Sequence, residues 1–122
     1  MARLRLTAPA ETDIAGLLDW SQERFGAMAR RRYEALLEAA LRDLAEDPLR
    51  AGSREERTLG AGTRVYHLRH SRERARAIER TVQSPRHILV YRIASVQLVV
   101  ILRVLHDSMD FVRHVPEDDG DG

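Results

Sequence analysis

Apolar and polar residues alternate at the start of the chain, where Leu4 and Leu6 are interleaved with Arg3 and Arg5. That period of two predicts a strand with one buried face. From Thr7 the period changes. Thr7, followed by Ala8, Pro9, Ala10 and Glu11, reads as an N-cap with proline in the first helical turn. Ile14, Leu17, Leu18, Ser21 and Phe25 then share one helical face, and Gly26 breaks the helix. Ala29, Tyr33, Leu36, Leu37, Ala40, Leu41 and Leu44 give a second helix its apolar stripe. It should close near Asp47, because Pro48 disfavours helical backbone in the residue before it. Two helices with one stripe each predict an antiparallel hairpin.

Residues 51–62 are polar and glycine-containing, and predict a loop. Three runs follow, at 63–68, 86–93 and 96–105, all rich in Val, Ile, Leu and Tyr and bounded like strands. Only Ala94 and Ser95 separate the last two, which predicts an antiparallel pair. The final run is apolar at both parities, from Val96 to Val104 and from Val99 to Leu105. Such a strand is covered on both faces, or covered on one and bound by a partner on the other. Between the first two runs, residues 69–86 hold six Arg and two Glu. Ala75, Ile78 and Val82 make a weak stripe there with Ser71 as a cap, predicting a short exposed helix or an ordered basic loop. The order β-α-α-β-β-β is an α+β fold, a helix hairpin packed on a small, mostly antiparallel sheet. We expect a single domain over residues 1–116 and a disordered acidic tail over 117–122.

Charge adds a regional asymmetry. The 122 residues carry a net charge of +1, but residues 51–92 hold ten Arg against four acids, whereas residues 93–122 hold two against six. Every basic side chain other than histidine is arginine, with no lysine. An all-arginine, alanine-rich chain fits a GC-rich coding sequence; the basic middle also fits an acidic partner or nucleic acid. With no cysteine, disulfides and thiolate metal sites are excluded. No apolar run is long enough to span a bilayer and the N-terminus lacks a signal-type apolar core, so a cytoplasmic protein with no membrane partner is expected.

Residues 101–115 hold the most chemically suggestive types: His106, Asp107, Asp110, Arg113 and His114. On a continuous helix His106, Asp110 and His114 would share a face suited to zinc or iron. The stretch leaves a strand directly, however, and no HExxH partner exists, so a polar cap on the strand end is preferred and no metal or cofactor is expected. RNA cleavage at a 2′-OH needs an acid, a base and positive charge near the phosphate. His67, His70, His87 and His106 offer the first two, and Arg64, Arg69, Arg86, Arg92 and Arg103 the third. The plainer reading is a solvated arginine face with histidines capping strand ends. Ser71, Ser84, Ser95 and Ser108 lack a nucleophile elbow. Arg30, Arg31 and Arg32 cluster on the long helix, but no recognition helix follows them, and sequence-specific nucleic-acid binding is not expected. Trp20 is either core packing or an interface anchor.

One constellation resembles a known family. Tyr91, Arg92 and Ile93 end one strand; Arg103, Val104, Leu105 and His106 end the next; Met109, Asp110, Arg113 and His114 follow. This pattern resembles the ParE toxins of the RelE/ParE superfamily of type II toxin–antitoxin modules, known also for plasmid stabilization. The N-terminal half agrees, with a strand, then Thr7, Ala10, Asp13 and Ile14, then Phe25–Gly26 and the long second helix. The resemblance covers about residues 3–115 and implies the α+β fold read above. It implies a ParD-like antitoxin in a hetero-oligomer and inhibition of DNA gyrase by binding, without catalysis. The alternative is a RelE-like, ribosome-dependent mRNA endonuclease. The basic residues that RelE-type catalysis uses on the central strands are replaced here by Ile88, Leu89 and Val90, which favours ParE. Trp20, Tyr91, Arg92, Ile93, Val99 and Ile101, on an exposed sheet face and the hairpin edge, are the candidate antitoxin contacts. Arg103, His106, Met109, Asp110, Arg113 and His114 are the candidate target surface.

Overall fold

The computed structural model describes residues 1–76 and 82–108. Strand β1 (Arg3–Leu6) leads into helix α1 (Ala8–Phe25) and helix α2 (Ala27–Glu46). Strands β2 (Ser53–Glu55) and β3 (Thr63–His67), the short helix α3 (Arg72–Arg76), and strands β4 (His87–Ser95) and β5 (Leu98–His106) follow. The five strands form one sheet in the order β1-β5-β4-β3-β2. Only β1 and β5 are parallel; the other neighbours are antiparallel. The helix pair packs on this sheet, giving the α+β fold expected.

Local chemistry explains the helix boundaries. The Thr7 hydroxyl accepts from the Ala10 N–H at 3.1 Å, capping α1, and donates to the Leu102 carbonyl at 2.8 Å. Gly26 has φ +94°, a conformation that glycine adopts without a side-chain clash, and the chain reverses there into α2. On α2 Leu36 and Leu44 are fully buried and Leu37 nearly so. Each such side chain contributes about 2 kcal/mol relative to exposure.

β2 lies inside the stretch expected to be a loop. It is short and polar because it is the sheet edge, paired only with β3 through Ser53↔Tyr66 and Glu55↔Arg64, so no apolar pattern announces it. The β4–β5 turn sits at Val96 and Gln97, two residues later than expected. Ser95 pairs with Leu98, and Val96 is 93% exposed.

A bulge governs how β5 is used. Val90 pairs with Arg103 but Tyr91 with Ile101, leaving Leu102 as the extra residue. Val99, Ile101 and Val104 pack in the main core with Leu36, Leu44, Tyr66 and Tyr91. Val100, Leu102 and Leu105 join a second buried cluster with Val65, Ile88 and Val90. Both parities of β5 are therefore buried, as its sequence requires. The faces are assigned differently from expectation, however. Tyr91, Val99 and Ile101, expected on an exposed sheet face, lie in the main core at 0% exposure. Partly buried Ile93 packs against that core, and Arg92 is half-buried.

Candidate functional site

Three strand ends and α2 converge at one end of the sheet. β4 begins at His87, β5 ends at His106, and β3 ends at His67. His87 pairs with His106 across the sheet, and their rings meet edge to face at 5.4 Å. Tyr33, on the first half of α2, closes the group from above. Its hydroxyl lies 2.6 Å from His87 Nδ1 and accepts the Arg86 backbone N–H at 3.1 Å. Tyr33 and His87 thus share one hydrogen, whose direction follows the imidazole tautomer. Burial, then the neighbouring His106, pushes the His87 pKa down to about 4, so its imidazole is neutral near pH 7. Burial pushes the Tyr33 phenol up to about 12.

Asp107 forms the second half of the cluster. Arg86 Nε donates to both of its oxygens, at 3.1 and 3.2 Å, and His67 Nε2 lies 3.1 Å from Oδ2. His67 Nδ1 accepts the Arg69 N–H, so the His67 proton sits on Nε2 and points at the carboxylate. Burial pushes the Asp107 carboxyl up, but the hydrogen bonds from Arg86 and His67 outweigh it and hold it below the usual carboxylate range. His106 Nδ1 accepts the Ser108 N–H at 3.2 Å. Each named group is hydrogen-bonded to a neighbour, and the net effect is to fasten β3, β4 and β5 to α2.

Above this polar floor, a cavity of about 660 Å³ opens between the helix hairpin and residues 82–87. Leu17, Trp20, Phe25, Ala29 and Val82 line it, with Arg32, Tyr33, His87 and His106 below. Trp20 is 51% and Phe25 66% exposed, their rings meeting edge to face at 5.7 Å. The Arg24 guanidinium lies 5.3 Å from the Trp20 ring centre. Trp20 thus sits at the rim of a cavity.

The remaining sequence candidates are scattered. Arg103 binds Asp13 of α1 through Nε at 2.6 Å and a terminal nitrogen at 2.9 Å. The same carboxylate accepts the Val104 N–H at 2.9 Å. β1 stops pairing at Ile101, so Asp13 satisfies the strand edge that β1 leaves open. Met109, Asp110, Arg113 and His114 lie outside the described residues, as do Ile78 and the acidic tail. Two of the three proposed metal ligands go with them. Among the described residues, no group of three or more His, Asp or Glu stands positioned to hold a metal ion. His70 lies in a short helical turn outside the cluster, and burial, then Arg69, lowers its pKa.

Sequence reasoning missed a buried anchor. Asp43 of α2, 5% exposed, accepts the Ser71 hydroxyl at 2.6 Å and pairs with Arg50 at 2.7 Å and Arg74 at 2.9 Å. Arg74 also takes Glu46 through two hydrogen bonds, at 2.8 and 2.9 Å. The basic segment is thus partly neutralised within the chain. Ser71, expected as a helix cap, instead bridges Asp43 and the Tyr66 hydroxyl. The only sequence signal was an acid, Asp43, placed beside the apolar stripe of α2.

A family model for the ParE toxin of type II toxin-antitoxin systems, parDE, matches residues 4–111. The chain belongs to the ParE toxin family. The match spans β1 through the end of β5, and so takes in the helix pair, the cavity and the histidine cluster. No individually curated protein matches the chain. Membership brings a toxin role and partnership with an antitoxin. Among the described residues no helix is long and apolar enough to cross a membrane.

Proposed function

We propose that this ParE-family toxin inhibits DNA gyrase in the cytoplasm by binding, without a chemical step, and that a ParD-like antitoxin neutralises it. The observation that carries the reading is that the convergent titratable groups are hydrogen-bonded to one another. Arg86 is held by Asp107, His67 points at the same carboxylate, and His87 is kept neutral by burial while hydrogen-bonded to Tyr33. With a pKa near 4, on the order of one His87 in a thousand is protonated at pH 7, a poor supply of general acid. The antitoxin contacts that this reading favours are those with exposed surface, namely Trp20 with the partly exposed Arg92 and Ile93. Tyr91, Val99 and Ile101 then act by shaping the sheet. His106, with Met109, Asp110, Arg113 and His114 beyond it in sequence, is the proposed target surface.

Purified protein added to gyrase should block supercoiling and raise the yield of cleaved DNA. Unchanged supercoiling and cleavage at high toxin concentration would remove the gyrase proposal. A second reading, an mRNA endonuclease, draws on the meeting of His67, His87 and His106 with Arg86 at one sheet end. Primer extension on message from a translation reaction decides it, since intact message excludes cleavage.

A further inference from the structure

The cavity beneath Trp20 holds an arginine that has no counter-ion among the described residues. Arg32 Nε is buried with no hydrogen-bond partner, and among the described residues no carboxylate pairs with this side chain. Arg50 also has a buried Nε without a partner, but its terminal nitrogen pairs with Asp43, as Arg74 does, and Arg103 pairs with Asp13. A partly buried cation without a partner is costly, and a bound carboxylate would relieve that cost. Beside it stand apolar walls from Leu17, Trp20, Phe25 and Val82, wide enough at about 660 Å³ for two or more large side chains.

We propose that this cavity seats an apolar side chain from an acidic, amphipathic segment of a protein partner, and that a carboxylate of that segment pairs with Arg32. The inference rests on the reading that the toxin is neutralised by a protein. It adds where the partner anchors and with what chemistry. Nucleic acid fits less well. Arg86 is already committed to Asp107 and His87 is neutral, so the floor offers no track of cations for phosphates. A second copy fits less well too. A two-fold contact through this patch would bring Arg24 and Arg32 from both copies into one interface, and the nearby Asp19 is taken by Arg30 at 3.0 Å.

Trp20 is the only tryptophan, so its fluorescence reports occupancy of the cavity rim. The probe is a capped, tryptophan-free helical peptide of roughly 15 residues, with leucines at i, i+3, i+4 and i+7 and glutamates elsewhere. A matched peptide carries lysines in place of the glutamates. The glutamate peptide should shift Trp20 emission to the blue, saturably. The lysine peptide, and the Arg32→Gln protein, should bind at least about tenfold more weakly. Ala29→Glu, which places a carboxylate in the cavity wall, should do the same if Arg32→Gln fails to fold. No saturable change up to about 1 mM peptide would overturn the proposal. So would equal binding of the two peptides, tighter binding of 4-phenylbutyrate than of the glutamate peptide, or a concentration-dependent dimer by sedimentation. In parallel, the product of the adjacent reading frame is co-purified with each variant. A partner that binds wild type and Arg32→Gln equally ends the anchoring proposal and leaves the toxin–antitoxin reading intact. If no partner binds wild type, the antitoxin reading fails, and the peptide titration alone judges the cavity.

Discussion

The two ends of α2 are built on opposite electrostatic terms. Near its C-terminal end, Asp43 gathers Ser71, Arg50 and Arg74 around one carboxylate, and Glu46 takes the other side of Arg74. Near its N-terminal end, Arg32 faces a cavity with its Nε unmatched, and the aromatic pair Trp20 and Phe25 is left largely exposed. The same helix therefore carries a closed charge cluster and an open one. The closed end serves folding: it ties the basic segment after β3 back to the helix hairpin. Among the described residues the open end offers no counter-ion to Arg32, and its aromatics are not fully buried, which is the condition of a surface that a partner completes.

Four measurements can break or sharpen this contrast. The largest effect is expected at the closed end. Asp43→Ala strips a buried carboxylate from two arginines and a serine, and should cost about 3 kcal/mol or more in urea unfolding. A loss under about 1 kcal/mol would mean that the cluster is ornamental.

The next effect is a pH dependence in the histidine cluster. His87 is held well below its unfolded value of 6.5, at about 4, so the unfolded chain binds the extra proton between those limits. Stability is then full above pH 6.5 and falls as the pH drops towards 4, by on the order of 2–3 kcal/mol. His70, also lowered, adds to the same slope, whereas Asp107 titrates below this window. His87→Gln, whose amide can still hydrogen-bond Tyr33, should flatten most of the slope in denaturant melts at a series of pH values. An unchanged slope would assign it elsewhere.

Asp13→Ala follows. It frees Arg103 and the Val104 N–H at the edge of β5, and should cost about 2 kcal/mol by the same melts. A change within about 0.5 kcal/mol would show that water replaces the carboxylate there. The smallest effect on stability belongs to the open end. Trp20→Ala should move the unfolding free energy by less than about 1 kcal/mol, because half of the side chain is already exposed. The same change should weaken antitoxin binding by about 2 kcal/mol in calorimetry, near thirtyfold. A large stability loss with unchanged binding would reverse the contrast between the two ends.

Much of this was legible from local pattern. Thr7, Pro9, Gly26 and Pro48 bound the helices where their backbone chemistry requires, and the paired parities of β5 announced a strand buried twice. The family was legible as well, in the order of Tyr91, Arg92, Ile93, Arg103, Leu105 and His106. Periodicity specifies which residues are buried, because burial recurs with the period of the element. It does not specify which face meets the helices. The bulge at Leu102 and the pairing across β4 set that, and they placed Tyr91, Val99 and Ile101 inside. Nor does it specify which charges meet. Asp13 and Arg103 are ninety residues apart in sequence, and Asp43 and Arg74 thirty-one, yet each pair closes within 3 Å. Such contacts depend on how elements dock, which no local signal encodes. For the same reason Arg32, one of three successive arginines in the sequence, became distinct only once the tertiary structure placed it in the cavity wall with no carboxylate partner among the described residues.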